Sequence, residues 1–328
     1  MARVYIVRPS PSFASRGISP GMDPVVSFTL NNTLGALEIG VLVSFALFGV
    51  TTTQLYIYYS RFPDDSRKLK ALVAFVWLCE VAHTACLGHL LYTDTILDYA
   101  RPDRVVGSSS KSLPTASLFA GIVAVCVHGF FSFRIYVFTK KMYITGIIWV
   151  MAFLHLLGRI ALFVTSLRAH SLEEFIQQWQ WLLTTNWTIS VATDFAITTT
   201  LVVVLHGRRS QAHKKTAALM DKLIAWTIET GMLTSASSIA MLISFVTMKD
   251  NFIWLAFFAV STRLFSNSLL SSLNSRATLR VMNEVALPCV TPALELLPSN
   301  SVQITKVTQI MYDAEPSTGQ WDKGPEDA

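Results

Sequence analysis

Seven charged residues lie inside long apolar stretches of the sequence, where an ionised side chain is costly. At the depth of a lipid bilayer such groups usually face the interior of a helix bundle, where they pair with one another or mark the path of a ligand or ion. Four are acidic and three are basic, so the set is nearly balanced. The sequence therefore supports two interpretations, ion pairs that hold helices together or a binding site. The residues are Glu38, Glu80, Arg134, Arg159, Asp194, Glu229 and Arg263.

Seven apolar segments must position these residues, and each is long enough to be a membrane-spanning helix. The chain is 52% hydrophobic and only 14% charged, with a mean hydropathy of +0.46. This composition argues against a disordered chain, a basic nucleic-acid-binding domain and a soluble dinucleotide-binding enzyme. We predict an all-α polytopic membrane protein, a seven-helix bundle in which the less apolar spans five and seven lie inside. The predicted spans are residues 34–58, 69–92, 115–138, 144–167, 182–206, 222–247 and 252–274.

The distribution of basic residues predicts the orientation of the bundle. Thirteen Lys and Arg residues follow spans one, three, five and seven, whereas five lie in the connections on the other side. Positively charged loops stay in the cytosol, so the N-terminus is expected outside and the C-terminus in the cytosol. The lipid bilayer is then the protein's environment, in the plasma membrane or an endomembrane. The basic segment 207–221 is a candidate surface for a cytosolic partner.

The two tails differ in composition from the helical domain at residues 34–276. Residues 1–33 are expected to form a flexible N-terminal tail, within which Met22 is an alternative start of translation. Asn31 begins a glycosylation sequon on the side expected to be outside. Residues 277–328 are acidic and rich in proline, which predicts a disordered cytosolic tail.

Depth within the spans predicts which charges can meet. At about 1.5 Å of rise per residue, Glu80, Asp194 and Arg263 all fall near the bilayer midplane. We therefore expect a central layer in which these three residues pair. Arg159 lies outward of the centre and is expected to join Glu80.

A second layer is expected nearer the cytosol. Arg134 and Glu229 lie at similar depths near the inner ends of spans three and six. Their opposite charges predict an ion pair.

Two further polar residues extend the central site. His83 follows Glu80 by three residues, and Asn267 follows Arg263 by four. Residues at these spacings share one face of a helix. Glu80, His83, Asp194, Arg263 and Asn267 are therefore the candidates for a ligand or ion-pair site in the bundle centre.

Several local motifs, taken in order, resemble a known family. They are the run from Trp77 to His83, the run from Phe130 to Tyr136, the run from Thr227 to Ser235 and the run from Asn267 to Arg276. Over about residues 34–280 the sequence resembles the basidiomycete seven-helix membrane family catalogued as domain of unknown function 6534. The resemblance implies the fold but no activity, because the family has no established one.

Three classes of function fit these observations. A seven-helix receptor or sensor is favoured by the expected topology, the basic third cytosolic loop and the polar midplane. The alternative is a transporter of a small solute, ion or proton that uses the midplane charges, although no internal repeat or proline break is present.

A membrane-embedded enzyme is the third class, and the sequence favours it least. Histidines lie in the spans at positions 83, 89, 128 and 155, but no H-x-x-x-H pair and no catalytic motif is found. We therefore predict no catalytic residue, no metal and no cofactor. A retinal protein is also argued against, because Arg263 is the only cation in the seventh span and cannot form a Schiff base.

Overall fold

The computed structural model describes residues 34–97, 111–169, 171–209, 214–248 and 251–285. These residues form seven long helices and no strand, which confirms the predicted all-α class. Each helix contains a segment long and apolar enough to cross a membrane. Asn31 and the expected N-terminal tail lie outside the described residues. The helices are α1 (Ala36–Arg61), α2 (Arg67–Tyr92), α3 (Ser112–Thr139), α4 (Met142–Ser166), α5 (Leu172–Arg209), α6 (Lys214–Thr247) and α7 (Ile253–Val285).

The helices form a ring in which each contacts the next along the chain and α7 closes against α1. Within this ring, α3 also contacts α5 and α7, so it lies toward the middle. We call the end that contains connections 61–67 and 139–142 the basic end. The opposite end, where α2 and α4 finish and where α3, α5 and α7 begin, is called the far end.

The inner and outer helices differ in the share of their residues that is buried. In the most apolar window of each helix, 72% of α7, 50% of α3 and 33% of α5 is buried. The expectation of an interior position is therefore confirmed for span seven and wrong for span five. The buried polar residues of α5, such as Asn186 and Asp194, form a single stripe. The remainder of that helix faces outward, because one polar stripe needs only one buried face.

The outward faces of the helices are apolar. Large side chains such as Leu42, Trp149 and Val203 are exposed on them. An exposed apolar surface of this kind is stable only against an apolar surrounding. The seven described helices therefore fit an integral membrane protein in a lipid bilayer.

All seven helices are longer than the predicted spans, and the largest extensions are in α5, α6 and α7. α7 continues to Val285, beyond residue 276, where the helical domain was expected to end. α5 begins at Leu172 rather than Leu182. The Ser171 hydroxyl accepts a hydrogen bond from the Glu174 backbone N–H at 3.1 Å, as an N-cap does. The added turns pack Phe175 against the core of the far end.

The backbones of α1 and α7 approach each other closely at Gly40. A Cβ atom at this position would lie 2.4 Å from the backbone Cα of Ala256. Small residues at such crossings let two helix backbones come together in a membrane. Gly40 is therefore required for the seam that closes the ring.

We expect Gly40→Ala to lower the thermal stability of the purified protein. The new methyl group meets backbone atoms that cannot rotate away, and overpacking of this kind costs about 1–3 kcal/mol. Thermal unfolding in detergent provides the measurement.

The matched control is Gly49→Ala on the same helix, where an added Cβ finds no atom within 4 Å. It reports the gain in helix propensity without a clash. Equal unfolding temperatures for the two variants would contradict the proposed role of Gly40.

Candidate functional site

The centre of the bundle contains an ion pair between Arg263 of α7 and Glu80 of α2. Both side chains are fully buried. The guanidinium also donates to the Ser44 hydroxyl of α1 at 2.9 Å and to the Thr84 hydroxyl of α2 at 2.9 Å. Ser266 donates to the carboxylate from the α7 side. One buried arginine thus connects α1, α2 and α7.

Asn267 and Phe48 complete the surroundings of this pair. The Asn267 amide donates to the Arg263 carbonyl oxygen at 2.9 Å and to the Leu47 carbonyl oxygen at 3.3 Å. The Arg263 guanidinium lies 5.2 Å from the centre of the Phe48 ring, within the range of a cation–π contact. The structure therefore brings together Glu80, Arg263 and Asn267.

His83 is buried beside this cluster but does not hydrogen bond to it. Its ring packs edge-on against Phe258, with 5.9 Å between the ring centres. Neither of its ring nitrogens has a hydrogen-bond partner among the described residues. His83 is one helical turn from Glu80, on the side toward the far end.

Asp194 does not join the central pair. Its carboxylate contacts the ring of His128 on α3, with 2.9 Å between Oδ1 and Nε2. Similar depth along two helices does not fix the direction of a side chain around the bundle. α3 and α6 lie between α5 and α7, so His128 meets Asp194 before Arg263 can.

The expected inner pair does not form either. Arg134 donates to the Ser272 hydroxyl of α7 at 2.8 Å, whereas Glu229 is exposed on α6. Arg134 faces α7 because α3 packs against that helix. Similar depth again did not bring two side chains together.

Arg159 occupies a site of its own on α4 instead of joining Glu80. Its side chain is only 7% exposed. It donates to the Ser117 hydroxyl at 2.8 Å and to the His155 ring at 3.3 Å. Gly121 on α3 makes room for it, since a Cβ there would lie 2.9 Å from Cγ of Arg159.

Above Arg159, a cavity opens in the far end of the bundle. The centre of a water-sized molecule can occupy about 90 Å³ of it, and the empty space is about 1020 Å³ when the open solvent at its mouth is included. The walls come from α2, α3, α4, α5 and α7, and the added turns of α5 form part of them. Most lining side chains are apolar or aromatic, including Leu90, Leu113, Leu162, Phe175, Trp254 and Phe258.

A row of polar side chains leads from this cavity toward the middle of the bundle. Arg159 contacts His155, whose ring centre lies 6.5 Å from that of His128, and His128 contacts Asp194. His128 and Asp194 in turn line a second, smaller cavity of about 370 Å³ between α3, α5, α6 and α7. Two cavities are therefore joined by one polar row.

Among the described residues, no cluster of three or more His, Cys, Asp or Glu side chains could hold a metal ion. The row of Arg159, His155, His128 and Asp194 supplies hydrogen bonds and charge. Its arrangement suits recognition of a polar group or transfer of a proton.

Comparison with known proteins finds a family that part of the chain resembles. Residues 190–278 match the model of a family of unknown function, DUF6534. The match confirms the resemblance to this family within residues 190–278, which are part of the predicted range 34–280. No curated protein and no solved structure matches the chain.

The DUF6534 segment covers only part of the site. It contains Asp194, Arg263 and Asn267, whereas Glu80, His128 and Arg159 precede it. Each of the two central charge contacts therefore joins one residue of the DUF6534 segment to one residue outside it.

Sequence reasoning missed the far-end cavity and the contact between His128 and Asp194. One signal for the cavity was present, because Ser171 followed by Glu174 is the spacing of a helix capping box. It predicts a helix start ten residues before the apolar run of α5. No signal in the sequence shows that this extension encloses a cavity.

We expect single substitutions in the central pair to be strongly destabilising. Glu80→Gln or Arg263→Gln leaves one buried charge without its partner, which typically costs about 3–5 kcal/mol. The double variant should lose less stability than the sum of the two single losses. Unfolding curves of the four proteins in the same detergent measure this coupling.

Glu38→Gln is the control, because Glu38 is an exposed acid on α1. It should leave the unfolding temperature close to that of the unmodified protein. Strictly additive losses at positions 80 and 263 would show that the two charges do not stabilise each other.

Proposed function

We propose that this protein is a seven-helix receptor or sensor whose small-molecule ligand binds in the far-end cavity. The observation that carries the proposal is an apolar cavity that ends inside the bundle on a buried cation, Arg159. Small-molecule sites are typically apolar concavities with a few polar groups that orient the ligand. The predicted orientation would place this cavity outside the cytosol.

The packing beneath the cavity supports a receptor more than a transporter. Phe258, His83 and the Glu80–Arg263 pair are buried below Arg159 and fill the space between α2 and α7. The described helices pass this level without a break, whereas transporter sites are typically formed by interrupted helices. The inner end of the cavity is therefore closed by packed side chains.

The basic end offers a surface through which a sensor could act. Arg208 donates to the Phe138 carbonyl oxygen, and Arg209 pairs with Asp221. Arg209 and Asp221 remain about half exposed. We propose that segment 207–221 contacts a cytosolic partner, and that ligand binding changes how α5 and α6 are held together there.

A transporter of protons or small solutes is the second candidate. It is favoured by the polar row that runs from Arg159 through His155 and His128 to Asp194, because this row joins the two cavities. Intramembrane histidine and carboxylate chains of this kind serve as proton relays in pumps.

The binding proposal is tested by filling the cavity. Leu162 lines it and is 3% exposed, so Leu162→Trp should occupy the space. Small molecules that copurify with the full chain are identified by mass spectrometry. We expect the filled variant to retain at least tenfold less of them.

Leu157→Trp is the matched control, because Leu157 lies on the same helix and is exposed. It should retain the copurifying molecules at the level of the unmodified protein. A molecule that is retained equally by both variants does not bind in the cavity, and that result would contradict the proposal.

Receptor and transporter are then distinguished with the molecule identified in this way. A receptor should show changed hydrogen exchange at residues 207–221 when the molecule is added, without flux into vesicles that contain the protein. Neutralising Arg208, Arg209, Lys214 and Lys215 should leave binding intact. Flux that Asp194→Asn abolishes would replace the receptor proposal with the transporter.

A further inference from the structure

We infer that the far-end cavity binds an amphipathic monocarboxylate, with its carboxylate on Arg159 and its apolar body along the cavity walls. The inference rests on the proposed function and specifies the chemical class of the ligand. It follows from the lack of a carboxylate partner for Arg159 among the described residues, the unused donors at Arg159 and the composition of the walls.

Arg159 has no counter-ion among the described residues. Arg263 pairs with Glu80, and Asp194 contacts His128 rather than Arg159. The hydrogen-bond partners of Arg159 are a serine and a histidine, and its guanidinium lies 5.8 Å from the centre of the Phe258 ring. Arginine keeps its charge in proteins, and a buried charge without a partner is destabilising. A ligand that brings one negative charge removes this cost.

Two hydrogen-bond donors at Arg159 are available to the two oxygens of a carboxylate. Nε and Nη1 donate to His155 and Ser117, and the hydrogens of Nη2 have no acceptor among the described residues. The Ser117 hydroxyl accepts from Arg159, so its own hydrogen is available as a second donor. A carboxylate can accept from both at once, as it does in other charge-assisted contacts with arginine.

The apolar walls of the cavity favour a ligand whose remaining part is also apolar. Leu90, Leu162, Phe175, Trp254 and Phe258 surround the space above Arg159. Burying hydrocarbon against them contributes about 25 cal/mol for each Å² removed from water. A small hydrophilic acid would bind Arg159 but leave these side chains unfilled.

A ligand with one negative charge fits the site better than a ligand with two. Among the described residues that line the cavity, Arg159 is the only basic one, and Asp94 lies on the same lining. Asp94 is itself engaged by another residue. A phosphate monoester would bring more negative charge than one guanidinium can balance. The geometry therefore favours a carboxylate over the phosphate of a lipid headgroup.

The test compares matched acids and alcohols on the full chain in phosphatidylcholine nanodiscs. The probes are oleate with oleyl alcohol, 4-phenylbutyrate with 4-phenylbutanol, and oleoyl lysophosphatidate as the phosphate source. We expect at least one of the acids to raise the unfolding temperature saturably, and to bind at least tenfold more tightly than its alcohol. Lysophosphatidate should bind more weakly than oleate.

Variants of Arg159 and Ser117 test whether Arg159 binds the carboxylate of the acid. Arg159→Gln should weaken binding of the acid at least tenfold, Arg159→Lys should restore part of it, and Ser117→Ala should weaken it about threefold. Arg61→Gln, an exposed arginine at the basic end, is the matched control and should change nothing. If Arg159→Gln does not fold, the acid–alcohol comparison on the unmodified protein decides the question by itself.

The outcomes separate the ligand class from the proposed function. Equal binding of acids and alcohols, tighter binding of lysophosphatidate, or no binding of either acid overturns the carboxylate inference. The receptor proposal survives these results if Leu162→Trp still removes a copurifying molecule. If Leu162→Trp removes nothing and no probe binds, the proposed function fails as well.

Discussion

Compensation of buried charge is the constraint on which the rest of this structure depends. A charged side chain within a membrane bundle is stable only when other groups replace water around it. Arg263 of α7 meets this requirement with groups from two other helices, including the Glu80 carboxylate of α2 and the Ser44 hydroxyl of α1. One guanidinium therefore connects α1, α2 and α7, and the close seam at Gly40 joins two of these same helices.

The same constraint organises the other side of the bundle through α3. His128 on this helix satisfies Asp194 of α5, while Gly121 gives space to Arg159 of α4. α3 therefore lies against both of these polar residues. The site consists of one fully compensated pair, one His–Asp contact and one arginine that faces an apolar space. Of these groups, Arg159 is the one that lines the far-end cavity.

The sequence was sufficient for the fold class because hydrophobic runs report directly on bilayer thickness. It identified Glu80, Arg263 and Asn267, which the structure brings together. Of the seven charges expected inside the bundle, four are buried and Glu38 and Glu229 are exposed. The sequence was not sufficient for partners such as Asp194 with His128, since pairing depends on the direction of each side chain around the ring. The cavity depends on five helices at once, and no local pattern describes such a space.

The length of α5 has a consequence for how a molecule would reach the cavity. The helix has 38 residues and is therefore about 57 Å long, whereas the hydrocarbon layer is about 30 Å thick. The turns that carry Phe175 extend toward the level of the lipid headgroups, where amphipathic molecules accumulate. A ligand that arrived from that layer would diffuse in two dimensions, so its occupancy would follow its mole fraction in the membrane rather than its concentration in water.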